Sequence, residues 1–209
     1  IEDWKFSDLN QIISTNFKNL DFSKKDNQSS IDVDFINEFE HNKIVFINGR
    51  VSKIDLSYEK ENKITLNQDF ELDEDLSKNV LINLNTAFLN NCIKITVNKG
   101  YKFQKPLILY NYLTSDLESH GLNMRLDINL EDDSSIDVIN ISNKNAKNNF
   151  LNFRQKINIG KNSVLKNYSL DINPTSNIKY SFKDINLNWS RSRALIIHVV
   201  VLSLFLIVF

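Results

Sequence analysis

The chain has 209 residues, of which 42% are hydrophobic and 24% charged, and its formal net charge is −1. That apolar fraction sustains a buried core and excludes global disorder, while the near-zero charge offers no field to gather a phosphate backbone. A single cysteine, Cys92, excludes an internal disulfide and any multi-cysteine metal site built by this chain alone, and fits a reducing compartment.

Trp4, Leu9, Ile12, Ile13, Phe17 and Leu20 recur at helical spacing and predict a short amphipathic helix, followed by a polar loop over 21–30. From Ile31 to Leu66 the pattern is strand-like, in IDVDFI, KIVFINGRVS and NKITL. A second helix is expected over about 73–90, where Leu72, Leu76, Val80, Leu84 and Phe88 fall four apart on one face. Its start would carry Glu71, Asp73, Glu74 and Asp75, acids suited to the positive end of a helix.

After Asn91 the period changes to two. Ile93, Ile95 and Val97 alternate with polar residues, as do Leu107 and Leu109; Leu126, Ile128 and Leu130; Ile136 and Val138; Phe153, Ile157 and Ile159; Leu170 and Ile172; and Ile185 and Leu187. Short alternating strands with Asp-, Asn- and Ser-rich turns fit a sandwich, a barrel or a β-solenoid. The turns EDDSS at 131–135 and GKNS at 160–163 precede apolar stretches of similar length, which leans toward stacked coils.

The final segment has another grammar. Asn, Lys, Asp and Glu vanish after Asn188, and an apolar run of sixteen residues begins at Ala194, interrupted by His198 and Ser203. As a helix it falls short of the roughly 20 residues that cross a bilayer, and as one core strand it is too long and too uniformly apolar. An out-of-frame or truncated end accounts best for the shift in composition. The organisation read from the residues is therefore a mixed helical region at 1–91, β rungs at 92–188 and an atypical apolar tail at 189–209.

Nothing in the residues assembles into catalytic chemistry. His41, His120 and His198 lie far apart without a carboxylate or second ligand at metal spacing, and His120, in a turn, is expected to be solvated. Cys92 has no local base and reads as a small buried thiol at the junction of helix and strand. Four scattered glycines build no phosphate-cradling loop. No catalytic, cofactor-binding or metal-binding residue is assigned, and the protein is read as not an enzyme.

Three stretches carry a resemblance. Trp4-Lys5-Phe6-Ser7-Asp8-Leu9 is similar to a W-[KR]-[YF]-[TS]-D-L opening, Val45-Phe46-Ile47-Asn48-Gly49-Arg50 to V-F-[VI]-N-G-R with a tight Asn-Gly turn, and Leu84-Asn85-Thr86-Ala87-Phe88 to L-N-T-A-F. Pro106-Leu107-Ile108 resembles a P-[IL]-x-[IL] step shortly after. In this order they resemble the SufB/SufD family, and its SufD branch in particular, over about residues 2–187. Cys92 departs from the pattern, standing where the family has a turn glycine.

The resemblance implies a mainly β fold, a right-handed parallel β-helix preceded by a small α-helical N-terminal region. It implies a non-catalytic scaffold subunit of the SUF iron–sulfur cluster assembly complex, here truncated to its N-terminal half, without a cofactor of its own. The implied partners are a SufB-like subunit and, only through a C-terminal region missing here, a SufC-like ATPase, with neither nucleic acid nor membrane. The implied location is the cytoplasm, or a plastid-type organelle if a transit segment preceded Ile1. The alternative is a membrane-tethered β-solenoid binding protein anchored by the C-terminal apolar run.

Overall fold

A computed structural model describes residue 21 and residues 36–68, 78–114, 117, 119–144, 149–172, 178–187, 193–202 and 205–208. Twelve strands and one helix are found among them. They are β1 (Asn42–Ile47), β2 (Arg50–Asp55), β3 (Ile64–Gln68), α1 (Val80–Ala87), β4 (Leu89–Val97), β5 (Leu107–Leu113) and β6 (Gly121–Leu130). The remainder are β7 (Ser135–Lys144), β8 (Phe150–Ile159), β9 (Val164–Ile172), β10 (Ile178–Leu187), β11 (Arg193–Leu202) and β12 (Phe205–Val208).

The strands form two sheets, ordered β12-β11-β9-β7-β5-β1-β2 and β10-β8-β6-β4-β3. From β4 to β11 successive strands alternate between the two sheets, and each from β6 onward pairs in parallel with the strand two before it. At the margins the pairing is antiparallel: β1 with β2, β3 with β4 and β11 with β12. The result is a mainly β chain of two mixed, mostly parallel sheets with a single helix among the described residues.

This corrects the expected right-handed parallel β-helix behind a small helical region. Residues ahead of Asn91 already supply three strands, and β1 is hydrogen-bonded into the larger sheet beside β5, from Asn42 opposite Leu107 to Ile47 opposite Tyr112. The local cause is the Asn48-Gly49 turn. Both residues have positive φ, 52° and 78°, the condition for a two-residue turn that reverses the strand at once. A chain reversed there pairs antiparallel. The Asn48 side chain then ties the turn to the end of β5, its amide donating to Thr114 Oγ1 (2.7 Å) and its carbonyl accepting from the Thr114 N–H (3.0 Å).

The expected helix over 73–90 is observed as the two turns of α1. Asn79 caps it, its side chain accepting from the Leu81 N–H at 3.0 Å, and no acidic residue occupies the first turn. Asn83, Asn85 and Thr86 are poor helix formers, which fits so short an element. The buried face also differs from the predicted stripe. Val80 and Phe88 are 61% and 48% exposed, while Leu81, Ile82 and Asn85 are buried. Because apolar residues occur around the whole helix, spacing alone did not select the face. Trp4–Leu20, most of IDVDFI and Glu71–Asp75 lie outside the described residues.

The core fills the space between the sheets. Ile44, Phe46, Leu107, Leu109, Ile136, Val138 and Leu165 project inward from one sheet, and Ile93, Ile95, Leu126, Ile128 and Ile157 from the other. Successive inward residues lie two apart, as a pleated strand requires. The two similar turns stack on each other and, through Gly100 N–H to Asp132 O (2.8 Å), on the turn before them; Gly100, Asp133 and Asn162 each take a positive φ, and Gly160 N–H donates to Leu130 O at 2.7 Å. Ser163 Oγ donates to Glu131 O (2.7 Å) and accepts from the Ser134 N–H (3.0 Å).

The apolar run continues the larger sheet. β11 pairs in parallel with β9 from Arg193 opposite Val164 to Val201 opposite Ile172, and β12 returns antiparallel along it. Length spoke against one strand, and the run is divided into two around residues 203–204, which lie outside the described set. No helix among the described residues is long and apolar enough to cross a membrane.

Candidate functional site

The inward face of the larger sheet does not stay apolar along its length. In β7 the inward series runs Ile136, Val138, Asn140, Ser142, and in β9 it runs Leu165, Asn167, Ser169; Gln155 takes the inward phase of β8 ahead of Ile157 and Ile159. All five of these polar residues are buried. Asn140 lies beside Ser169 in register, and Asn167 beside Val138.

Their amides form a relay across the interior. Asn140 Nδ2 donates to Asn167 Oδ1 at 2.8 Å and to Tyr168 O at 3.1 Å. Asn167 Nδ2 donates in turn to Gln155 Oε1 at 3.4 Å, joining the two sheets. Asn140 Oδ1 and Gln155 Nε2 are left without a hydrogen-bond partner among the described residues, as is Asn111 Oδ1 on β5. Asn111, Asn140 and Gln155 line one cavity of about 40 Å3, whose opposite wall is apolar and includes Leu122, Met124 and Phe153. Neutral amides do not titrate in the physiological range and are not nucleophiles. This arrangement can bind and orient a polar group by hydrogen bonds; it supplies no proton-transfer pair.

Outside the sheets, α1 lies across β4, β6 and β8. Asn85 Nδ2 donates to Met124 O (3.0 Å) and Asn152 O (2.8 Å), and Asn152 Nδ2 donates back to Leu81 O (2.8 Å). On the same face Arg125 makes a bidentate pair with Asp127, at 2.8 and 2.9 Å, and both are buried. The register sets Lys94 and Lys156 on either side of Asp127 and Arg154 beside Arg125. In the same register Asp184 on β10 follows beyond Lys156.

Glu59 forms a second node, where the loop after β2 meets the segment before β5. It accepts from Asn42 Nδ2 (2.6 Å), Tyr101 Oη (2.7 Å) and the backbone N–H groups of Gln104 and Lys105 (3.1 and 3.2 Å). Burial, and then Glu59 beside it, push the Tyr101 phenol above its ordinary value.

Histidine placement departs from expectation at one position. His120, read as solvated, is 4% exposed; its backbone N–H donates to Asn149 Oδ1 (2.8 Å), and its Nε2 lies 3.5 Å from Asp21 Oδ2. A bridge between residues 21 and 120 draws it inward, a pairing 99 residues apart that no local pattern reveals. His41 is also buried. Its Nδ1 lies 3.0 Å from Phe39 O, which can only accept, so Nδ1 carries the proton and Nε2 accepts from Tyr110 Oη at 3.0 Å. Burial pushes the Tyr110 phenol up. Nothing is described of the His198 side chain. Cys92 is buried within β4, beside Arg125 in register. No group of three or more His, Cys, Asp or Glu placed to hold a metal occurs among the described residues.

Periodicity of apolar residues does not reveal the polar interior, because Asn also fills the turns of this chain. A signal was present: Asn140, Asn167 and Gln155 keep the phase of the inward apolar residues beside them. No protein-family model matches the chain, and no curated protein matches its sequence.

Proposed function

We propose that the chain is a non-catalytic scaffold subunit of the SufD type, acting in SUF iron–sulfur cluster assembly beside a SufB-like subunit. The observation that supports this reading is where the motif stretches fall. Val45–Arg50 makes β1, its turn and the start of β2; Leu84–Phe88 closes α1 directly before β4; and Pro106–Ile108 leads into β5. Two of them lie on neighbouring strands, since Asn42 N–H donates to Pro106 O at 2.9 Å and β1 then runs beside β5, with Val45–Ile47 opposite Tyr110–Tyr112, just past Pro106–Ile108. Stretches that recur together because they build one joint would keep this order and contact. Trp4–Leu9 lies outside the described residues.

Under this reading the protein supplies surfaces rather than chemistry, and its SufC-like partner is engaged through a C-terminal segment beyond residue 188. Completed with a SufD-type C-terminal half, the chain should co-purify with SufB-like and SufC-like proteins. Residues 1–188 alone should not retain the SufC-like ATPase. Strong retention by residues 1–188, or no SufB-like partner for the completed chain, would overturn the assignment.

A further inference from the structure

We propose that the cavity between β5, β7 and β9 on one side and β6 and β8 on the other is a buried hydration site, holding two or three ordered waters that close the Asn140–Asn167–Gln155 relay. Within the relay each amide satisfies the next, and what remains at its ends is one donor group, Gln155 Nε2, and one acceptor, Asn140 Oδ1. A second open acceptor, Asn111 Oδ1, lines the same cavity. Gln155 is wholly buried and Asn140 is 5% exposed, so bulk solvent does not reach them freely. Left unmet, each such group would have given up its bonds to water on burial with nothing in return.

The chemistry of the lining selects the ligand. No charged side chain lines the cavity, so an ion would enter without a counter-charge. Two acceptors face one donor group, and the occupant must donate at least twice while accepting from Gln155. Water does both. The room against these amides, about 40 Å3, suits small solutes, since each water needs roughly 10–15 Å3 of this measure. The cavity therefore has room for about three waters. One accepts from Gln155 and donates to Asn140, and a neighbour carries the second donation to Asn111. The site joins both sheets through solvent where apolar packing gives out, and it does not rest on the scaffold reading.

The test uses the whole chain and water itself as the probe. In the wild-type protein, magnetisation should pass from long-lived water to the side-chain amides of Gln155 and Asn140, and xenon under pressure should leave the signals of Met124 and Phe153 unshifted. In Gln155→Met, of similar length but without the donor, the water signal at Asn140 should fall at least several-fold. An absence of long-lived water at both amides of the folded wild type would overturn the proposal. So would entry of xenon into the wild-type cavity, since that marks a dry apolar void.

Discussion

Replacing Gly160 with alanine tests the stacking of the turns directly. Gly160 has an ordinary φ, so any penalty is steric. An added Cβ would lie 2.7 Å from both Leu130 O and the Glu131 carbonyl carbon, and 2.8 Å from Asp132 N. All three are backbone atoms of the neighbouring turn, with no flexible side chain to swing aside. Relief would require separating the two turns, at the expense of bonds such as Gly160 N–H to Leu130 O (2.7 Å), Asp133 N–H to Lys161 O (2.8 Å) and Lys161 N–H to Asp132 Oδ1 (2.8 Å). Losing two or three bonds at about 0.5–1.5 kcal/mol each gives a destabilisation of about 1–4.5 kcal/mol. Gly100→Ala is the comparison, because nothing lies within 4 Å of its added Cβ and only the φ of 73° opposes it. That should cost about 1–2 kcal/mol. Urea unfolding of both variants, read at constant m, measures the difference. If Gly160→Ala unfolds at the wild-type midpoint, the close stacking of these turns is wrong.

Asn85→Ala removes two buried bonds to sheet carbonyls and should destabilise by about 1–3 kcal/mol, whereas the exposed Val80→Ala should stay within about 0.5 kcal/mol; equal effects in urea would show that α1 is not docked through Asn85. Glu59→Gln should lower the Tyr101 phenol in an ultraviolet titration, because the Glu59 carboxylate adds to the rise that burial begins. The sign for stability follows: a phenol raised on folding contributes fully below 10.0, and that contribution is lost as pH climbs through the folded value. Alkaline destabilisation should therefore be smaller in Glu59→Gln, and an unchanged titration would remove Glu59 from Tyr101's surroundings. Cys92, 3% exposed, should resist a thiol reagent until the protein unfolds; rapid labelling of the native chain would place it at the surface instead.

Much of the strand layout was legible because a strand with one buried face needs an apolar residue at every second position. Ile93-Ile95-Val97, Leu126-Ile128-Leu130 and Ile157-Ile159 announce their strands, and the first two also give the inward phase over their full span. The Asn48-Gly49 turn was legible because few other pairs accept two positive φ values. Phase failed in β9. In the sequence Leu170 falls in with the alternating set, yet the inward residues there are Leu165, Asn167 and Ser169, and Leu170 belongs to the other face.

What the residues determined by themselves was therefore local: where strands run, where the chain turns and which stretches resemble a known family. Which strand pairs with which, in what direction and in which of two sheets, was decided by tertiary structure. Those pairings join residues tens of positions apart and are selected by the shared core. The same distance separates Asn140 from Asn167 and Asp21 from His120. Whether an asparagine caps a turn or completes a buried relay depends on a partner that sequence spacing does not name, because a hydrogen bond is set by position in space. The interior amides became a candidate site only once two sheets had brought them face to face.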